Sequence, residues 1–163
     1  MTIGYLNNEE NIDWKNKVGN LTGNANGKNS IVWYAPDLYA LGAWTDGTDT
    51  WVGISSDFGG AEWTLAGCGD FNGDGKDDII LFHKETGSMV MCADGNVDNF
   101  ISIGQLDATD WFVVGAGDYN ADGKDDLLVR QYSTGMLGYY DSGDTAQWVE
   151  LGRGVDMNWT VIA

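Results

Sequence analysis

The segment that begins at Trp63, WTLAGCGDFNGDGKDDIILF, returns from Trp111 as WFVVGAGDYNADGKDDLLVR, an offset of 48 residues. The same step taken forward leads from Trp111 to Trp159, where WTVIA opens another copy. Taken backward, it lays GKNSIVWY, residues 27–34, on GKDDIILF, residues 75–82, so a diverged copy precedes the two clear ones. A chain of 163 residues could be one ordinary domain or a short array, and this self-similarity decides for the array. The units are residues 14–61, 62–109 and 110–157. Residues 1–13 carry TIGYL, which is similar to the end of a unit (SIGQL, 102–106), and 158–163 form the first strand of a further one.

Within one period the apolar runs are short and punctuated by turn residues, which predicts four strands per unit. In the second unit they fall at 63–69, 78–84, 88–93 and 99–104. Glu85-Thr86-Gly87 and Asp94-Gly95-Asn96 read as hairpin turns in which Gly or Asn takes a positive φ. The 24 glycines argue the same way, since an interior Gly costs a helix roughly 1 kcal/mol relative to Ala. The expected fold is therefore all-β: three four-stranded units of β-propeller blade type, with partial units at both ends. A stacked solenoid is the alternative, although its repeats are usually shorter.

The second and first strands of a unit are joined by an acidic loop. Asp70, Asn72, Asp74 and Asp78 stand at positions 1, 3, 5 and 9 of one copy, and Asp118, Asn120, Asp122 and Asp126 at those of the next. Gly75 and Gly123 at position 6 allow a sharp turn, and the main-chain carbonyls of Lys76 and Lys124 are available at position 7. This is a hard-oxygen cage of the kind Ca²⁺ prefers. Three carboxylates brought together repel one another unless a divalent ion compensates them. Two Ca²⁺ per chain are expected. An EF-hand would need a bidentate Glu at position 12, where this chain has Leu81 and Val129, so the helical version of the loop is excluded.

The Asp-x-Asn-x-Asp-Gly-x-x-Asp core within a strand-loop-strand repeat resembles the FG-GAP or VCBS repeat, the blade unit of integrin α-subunit propellers and of many bacterial surface proteins. The resemblance covers residues 14–163. It implies that the eight Asp and Asn side chains named above are calcium ligands. GCG and GAG stand where the family has Gly-Ala-Pro, and the Phe-Gly element is missing, so the likeness is closer to the bacterial VCBS branch. At 48-residue spacing the first unit places Thr22, Asn24, Asn26 and Ser30 at the ligand positions. All are neutral, which predicts a loop held by its own hydrogen bonds or a weak ion site.

Other residues carry less. Trp14, Trp63, Trp111 and Trp159 open equivalent strands and are expected to pack between units, as are Trp51, Phe100 and Trp148. Trp33 and Trp44 have no aromatic counterpart in both other units (Leu81 and Val129; Cys92 and Tyr140), which makes them candidates for a ligand-stacking platform or for an adapted core. His83 is expected at a solvated strand end, and one histidine supports no catalytic constellation. Asp77 and Asp125, at position 8, are expected to point away from the ion, into the turn or to solvent. Cys68 and Cys92 are two strand spacings apart, roughly 9–10 Å, beyond the reach of a disulfide, and should be free.

Twenty-five acidic against eight basic residues, a net charge of −17, disfavour nucleic acid and anionic membrane surfaces as partners. There is no apolar run of transmembrane length and no leader after Met1. The expectation is a calcium-stabilised, non-enzymatic binding or adhesion module of a secreted or cell-surface protein, probed by an extracellular protein or glycan ligand. Alternatives are a lectin-like carbohydrate-binding propeller and the non-catalytic part of an extracellular glycan-processing enzyme. Three units do not close a ring, so either a longer array or a homo-oligomer is expected to complete it.

Overall fold

The computed structural model describes residues 15–23, 28–35, 38–55, 60–153, 156 and 158. Trp14, Asn24, Asn26 and Trp159 lie outside them, as do residues 1–13 and all of the last partial unit, 158–163, except residue 158.

The chain is all-β and consists of three four-stranded antiparallel sheets, each an open meander in sequence order. The first sheet is β1 (Lys15–Gly19), β2 (Ser30–Ala35), β3 (Ala40–Trp44) and β4 (Trp51–Ser55). The second is β5 (Trp63–Gly69), β6 (Asp78–His83), β7 (Ser88–Cys92) and β8 (Phe100–Gln105). The third is β9 (Trp111–Gly117), β10 (Asp126–Gln131), β11 (Leu137–Tyr140) and β12 (Trp148–Gly152). Strand positions expected from the repeat agree to within a residue or so at each end. Gly87 takes φ 74° in the first hairpin turn of the second sheet, and Asp94 and Gly95 take 53° and 70° in the second turn.

The second strand β6 is apolar on both faces because it lies between two layers. Ile79 and Leu81 face the first sheet, where Val32, Tyr34, Leu41 and Ala43 meet them in one core cluster with Leu65 and Cys92. Ile80 and Phe82 face the third sheet and join Met89, Leu127, Val129 and Tyr140 in the other. Continuous hydrophobic runs are what burial on both faces requires of a strand. First strands run side by side, β5 lying next to both β1 and β9. The Tyr34 hydroxyl ties adjacent sheets by donating to the Trp63 carbonyl.

Pairing corrects the expected alignment of the first unit. Gly19, Gly69 and Gly117 are equivalent, pairing with Ser30, Asp78 and Asp126. The residue after that glycine is therefore Asn20, Asp70 or Asp118, and Thr22 is not at the first loop position. The first loop holds ten residues, 20–29, against eight in 70–77 and 118–125. In compensation β1 lacks the bulge that β5 carries between Leu65 and Gly67. A uniform 48-residue step hides both changes because they occur within one strand-loop unit.

Candidate metal centres

Both acidic loops wind around their own side-chain oxygens. Asp70 Oδ1 accepts from the amides of Gly73 at 2.7 Å and Asp74 at 3.0 Å, and its Oδ2 from Gly75 at 2.8 Å. Asp118 repeats this with Ala121 at 2.7 Å, Asp122 at 3.2 Å and Gly123 at 3.0 Å. Asn72 and Asn120 accept from Asp74 and Asp122 N–H, each at 2.9 Å, and Asp74 and Asp122 accept from Lys76 and Lys124 N–H, also at 2.9 Å. Gly75 and Gly123 have φ of 89° and 88°, a conformation in which a side chain is strained.

The ninth position differs from the others because it starts a central strand. Asp78 and Asp126 are both 0% exposed. Asp78 Oδ1 accepts from Asp94 N–H at 3.0 Å and Asn72 Nδ2 at 3.1 Å, while its Oδ2 is buried without a partner. Asp126 Oδ1 accepts from Ser142 N–H at 2.9 Å and Oδ2 from Tyr119 N–H at 3.0 Å. Burial pushes the Asp78 carboxyl up to about 6, with the Asp74 and Asp70 charges adding to it against the hydrogen bond from Asp94. Burial raises Asp126 as well.

Among the described residues no three carboxylate, histidine or cysteine side chains gather into a cluster able to hold a metal ion. The donor set nonetheless suits a hard cation: it is all oxygen, and the orphan Oδ2 of Asp78 is a buried charge site whose ionised form needs a positive partner.

Asp77 and Asp125 do not serve the turn or the solvent face. Each reaches the preceding loop. Asp125 Oδ2 accepts from Asp70 N–H at 2.8 Å while Asp125 N–H donates to the Asp70 carbonyl at 2.9 Å. Asp77 does the same to Asn20, at 2.6 Å and 3.0 Å. The aliphatic stem of Lys124 also lies over Gly73. Lys76 Nζ is paired with Asp94 at 2.8 Å on the surface. Repetition of position 8 in the sequence marked these aspartates, but their partner is a loop about fifty residues away and no local pattern names it.

Asp94, legible in the sequence only as a turn residue, and Ser142 follow the buried aspartates by sixteen residues. Their backbone amides cap those aspartates from turns in which they take φ of 53° and 50°. In the first loop Thr22 Oγ1 donates to Asp46 Oδ1 at 2.5 Å, and the Asn20 Oδ1 and Ser30 Oγ atoms are buried without partners.

Trp33 and Trp44 are half-buried and meet edge to face at 5.1 Å, with Trp51 extending the group at 6.4 Å from Trp44. Trp51 is 42% exposed and lies over Gly42. Its counterpart Trp148 lies over Gly138 and packs on Trp111 at 5.5 Å, whereas Phe100 is 63% exposed and is not core. Trp63 and Trp111 pack against the two core clusters, as expected. His83 is half-buried rather than solvated: its Nδ1 accepts from the Glu85 and Thr86 amides, both at 3.3 Å, and its ring meets Trp63 at 5.0 Å. Cys68 and Cys92 are free, with Ile79 of β6 paired between them.

Comparison with family models, with curated proteins and with solved structures finds no match to this chain. The class stated by the fold is an all-β array of three four-stranded antiparallel sheets.

Proposed function

We propose that this chain is a calcium-stabilised segment of a β-propeller of FG-GAP or VCBS type, acting as a binding or adhesion module at the cell surface or in the extracellular space. The observation that carries the calcium reading is the buried Asp78 carboxylate with an unpartnered Oδ2, at the end of a loop of oxygen donors that recurs at Asp126. Asp70, Asn72, Asp74, Asp78 and the Lys76 carbonyl would hold one ion; Asp118, Asn120, Asp122, Asp126 and the Lys124 carbonyl would hold the other. The ion would supply charge compensation rather than chemistry. Side-by-side first strands and shared cores on both faces of the second sheet support the propeller arrangement. Further repeats, or a second copy of the chain, would complete the ring.

No residue is assigned a catalytic role. Calorimetric titration of Ca²⁺ into chelator-treated protein should give two sites, and Asp78→Ala should remove one and leave the Asp126 loop competent. A stoichiometry near zero would reject the calcium reading.

A glycan ligand is the second reading, favoured by the partly exposed Trp33–Trp44–Trp51 group. Flat sugar faces stack on indole, and acidic neighbours accept hydroxyl hydrogen bonds. The same positions in the other sheets, Leu81 with Cys92 and Val129 with Tyr140, are buried between layers, which sets the competing packing role. Glycan screening of the wild type against Trp44→Ala separates the two.

A further inference from the structure

A cavity of about 330 Å³ lies along the first strands of all three sheets, towards the end away from the acidic loops. Its walls include Lys17 from β1, Thr64 from β5, Trp111 and Phe112 from β9, and Lys84 and Tyr132 from the turns that follow β6 and β10. Two lysines and no Asp or Glu line it, in a chain with 25 acidic and only eight basic residues. Neither lysine has a carboxylate partner among the described residues. Lys84 Nζ donates to the Ala61 carbonyl at 3.0 Å, and among the described residues the Lys17 ammonium makes no hydrogen bond or ion pair. Elsewhere Lys76 pairs with Asp94, Arg153 with Glu150, and Arg130 donates to the Asp156 carbonyl. Phe112 and Tyr132 pair their rings at 4.4 Å beside the opening, where Tyr132 is 52% exposed.

We propose that this cavity binds a small carboxylated ring, of the chemical class of a uronic acid residue, independently of the calcium loops. Lysine ammonium groups and a carboxylate make charge-assisted hydrogen bonds, and aromatic walls accept the C–H face of a sugar ring. The volume sits at the low end of the roughly 300–1,000 Å³ that small-ligand sites occupy, which suits one ring rather than a chain. The surrounding charge selects further. A field of −17 repels polyanions and penalises a phosphate dianion more than a monoanion, so the carboxylate is the favoured anion.

The test is calorimetric and saturation-transfer NMR titration of the full chain with glucuronate, glucose, glucose 6-phosphate and acetate, with and without Ca²⁺. Saturable binding of glucuronate is expected, with glucose, acetate and the phosphate each weaker. Lys17→Met and Lys84→Met, checked for an unchanged melting temperature, should each weaken glucuronate by about tenfold, the loss of one charge-assisted contact. Arg153→Met, which removes a surface cation outside the cavity, should leave glucuronate affinity unchanged. Absence of saturable binding, equal binding of acetate, or lysine variants that bind as the wild type does would overturn the assignment. If a lysine variant melts early, Phe112→Leu serves instead: it keeps the apolar volume, and glucuronate affinity that survives it unchanged counts against stacking in this cavity. Failure here leaves the calcium stoichiometry untouched, so the two readings stand or fall separately.

Discussion

At Gly138 a single hydrogen atom makes room for an indole. A β-carbon there would run into the Trp148 ring and the Val149 carbonyl, the second of which is backbone and cannot move aside cheaply. Gly138→Ala should therefore cost about 1–3 kcal/mol by overpacking, measured as a lower midpoint in urea. The thiols make a second residue-scale case. Burial, with the Asp77 charge adding to it, pushes the Cys68 thiol up to about 12, and burial with the Asp78 charge pushes Cys92 up to about 11. At pH 8 only about one Cys68 in ten thousand is then a thiolate, the reactive form. Both cysteines should react slowly with a disulfide reagent in native protein and fast once urea is added. Rapid native labelling of both would contradict that environment.

Asp110 shows how the sign of a titration follows from hydrogen bonds. Its carboxylate accepts from Ser133 Oγ at 2.7 Å, Ser133 N–H at 2.8 Å and Gln131 Nε2 at 2.7 Å, and these hold its carboxyl below the usual carboxylate range. A depressed folded value means that the stabilisation is fully present above the unfolded value of about 3.9 and is lost as pH falls through the lowered one. The group is on the surface, so the effect is small. Melting temperatures of wild type and Asp110→Ala should converge as pH is taken from 6 towards 2.5, and a gap that widens on acidification would refute the assignment.

At the scale of elements, the position-8 aspartates join one loop to the next. Asp125 makes two hydrogen bonds to residue 70, one through its side chain and one through its backbone, and Asp77 makes the matching pair to residue 20. Asp125→Ala leaves the Asp70 amide without its acceptor and should cost about 1–3 kcal/mol, whereas Asp125→Asn, which retains an acceptor oxygen, should cost less. Urea midpoints of the two variants give the comparison. Because residue 70 would also be the first ligand of an ion in its loop, loosening Asp125 should weaken Ca²⁺ uptake in that loop as well as stability.

For the whole molecule, three sheets share two interlayer cores, so an ion held by the loop of the middle sheet would stabilise packing on both sides of that sheet. A ligand that binds only the folded state adds about 2.7 kcal/mol at a concentration one hundred times its dissociation constant. Chelator should therefore lower the melting temperature, and Mg²⁺, which prefers a smaller octahedral shell, should restore less of it than Ca²⁺. An unchanged melting curve in chelator would dispose of the structural role for the ion.

Repetition carried most of the architecture into the sequence. Trp63 and Trp111 at a fixed offset, apolar runs of strand length and Gly-containing turns were enough to place four strands per unit, because strand and turn preferences act between near neighbours. The loop residues Asp70 to Asp78 were legible for the same reason: nine consecutive positions contain the whole donor set. Asn20 could not be recognised as the counterpart of Asp70, since two extra loop residues and a missing bulge leave the overall spacing almost intact and only hydrogen-bond register separates them. Asp125 gave no sign of its hold on Asp70, nor Lys17 of its place in one cavity with Trp111. Those neighbours are brought together by the way sheets stack, a consequence of burying two apolar faces at once, and that burial depends on contacts across the whole array rather than on any local run of residues.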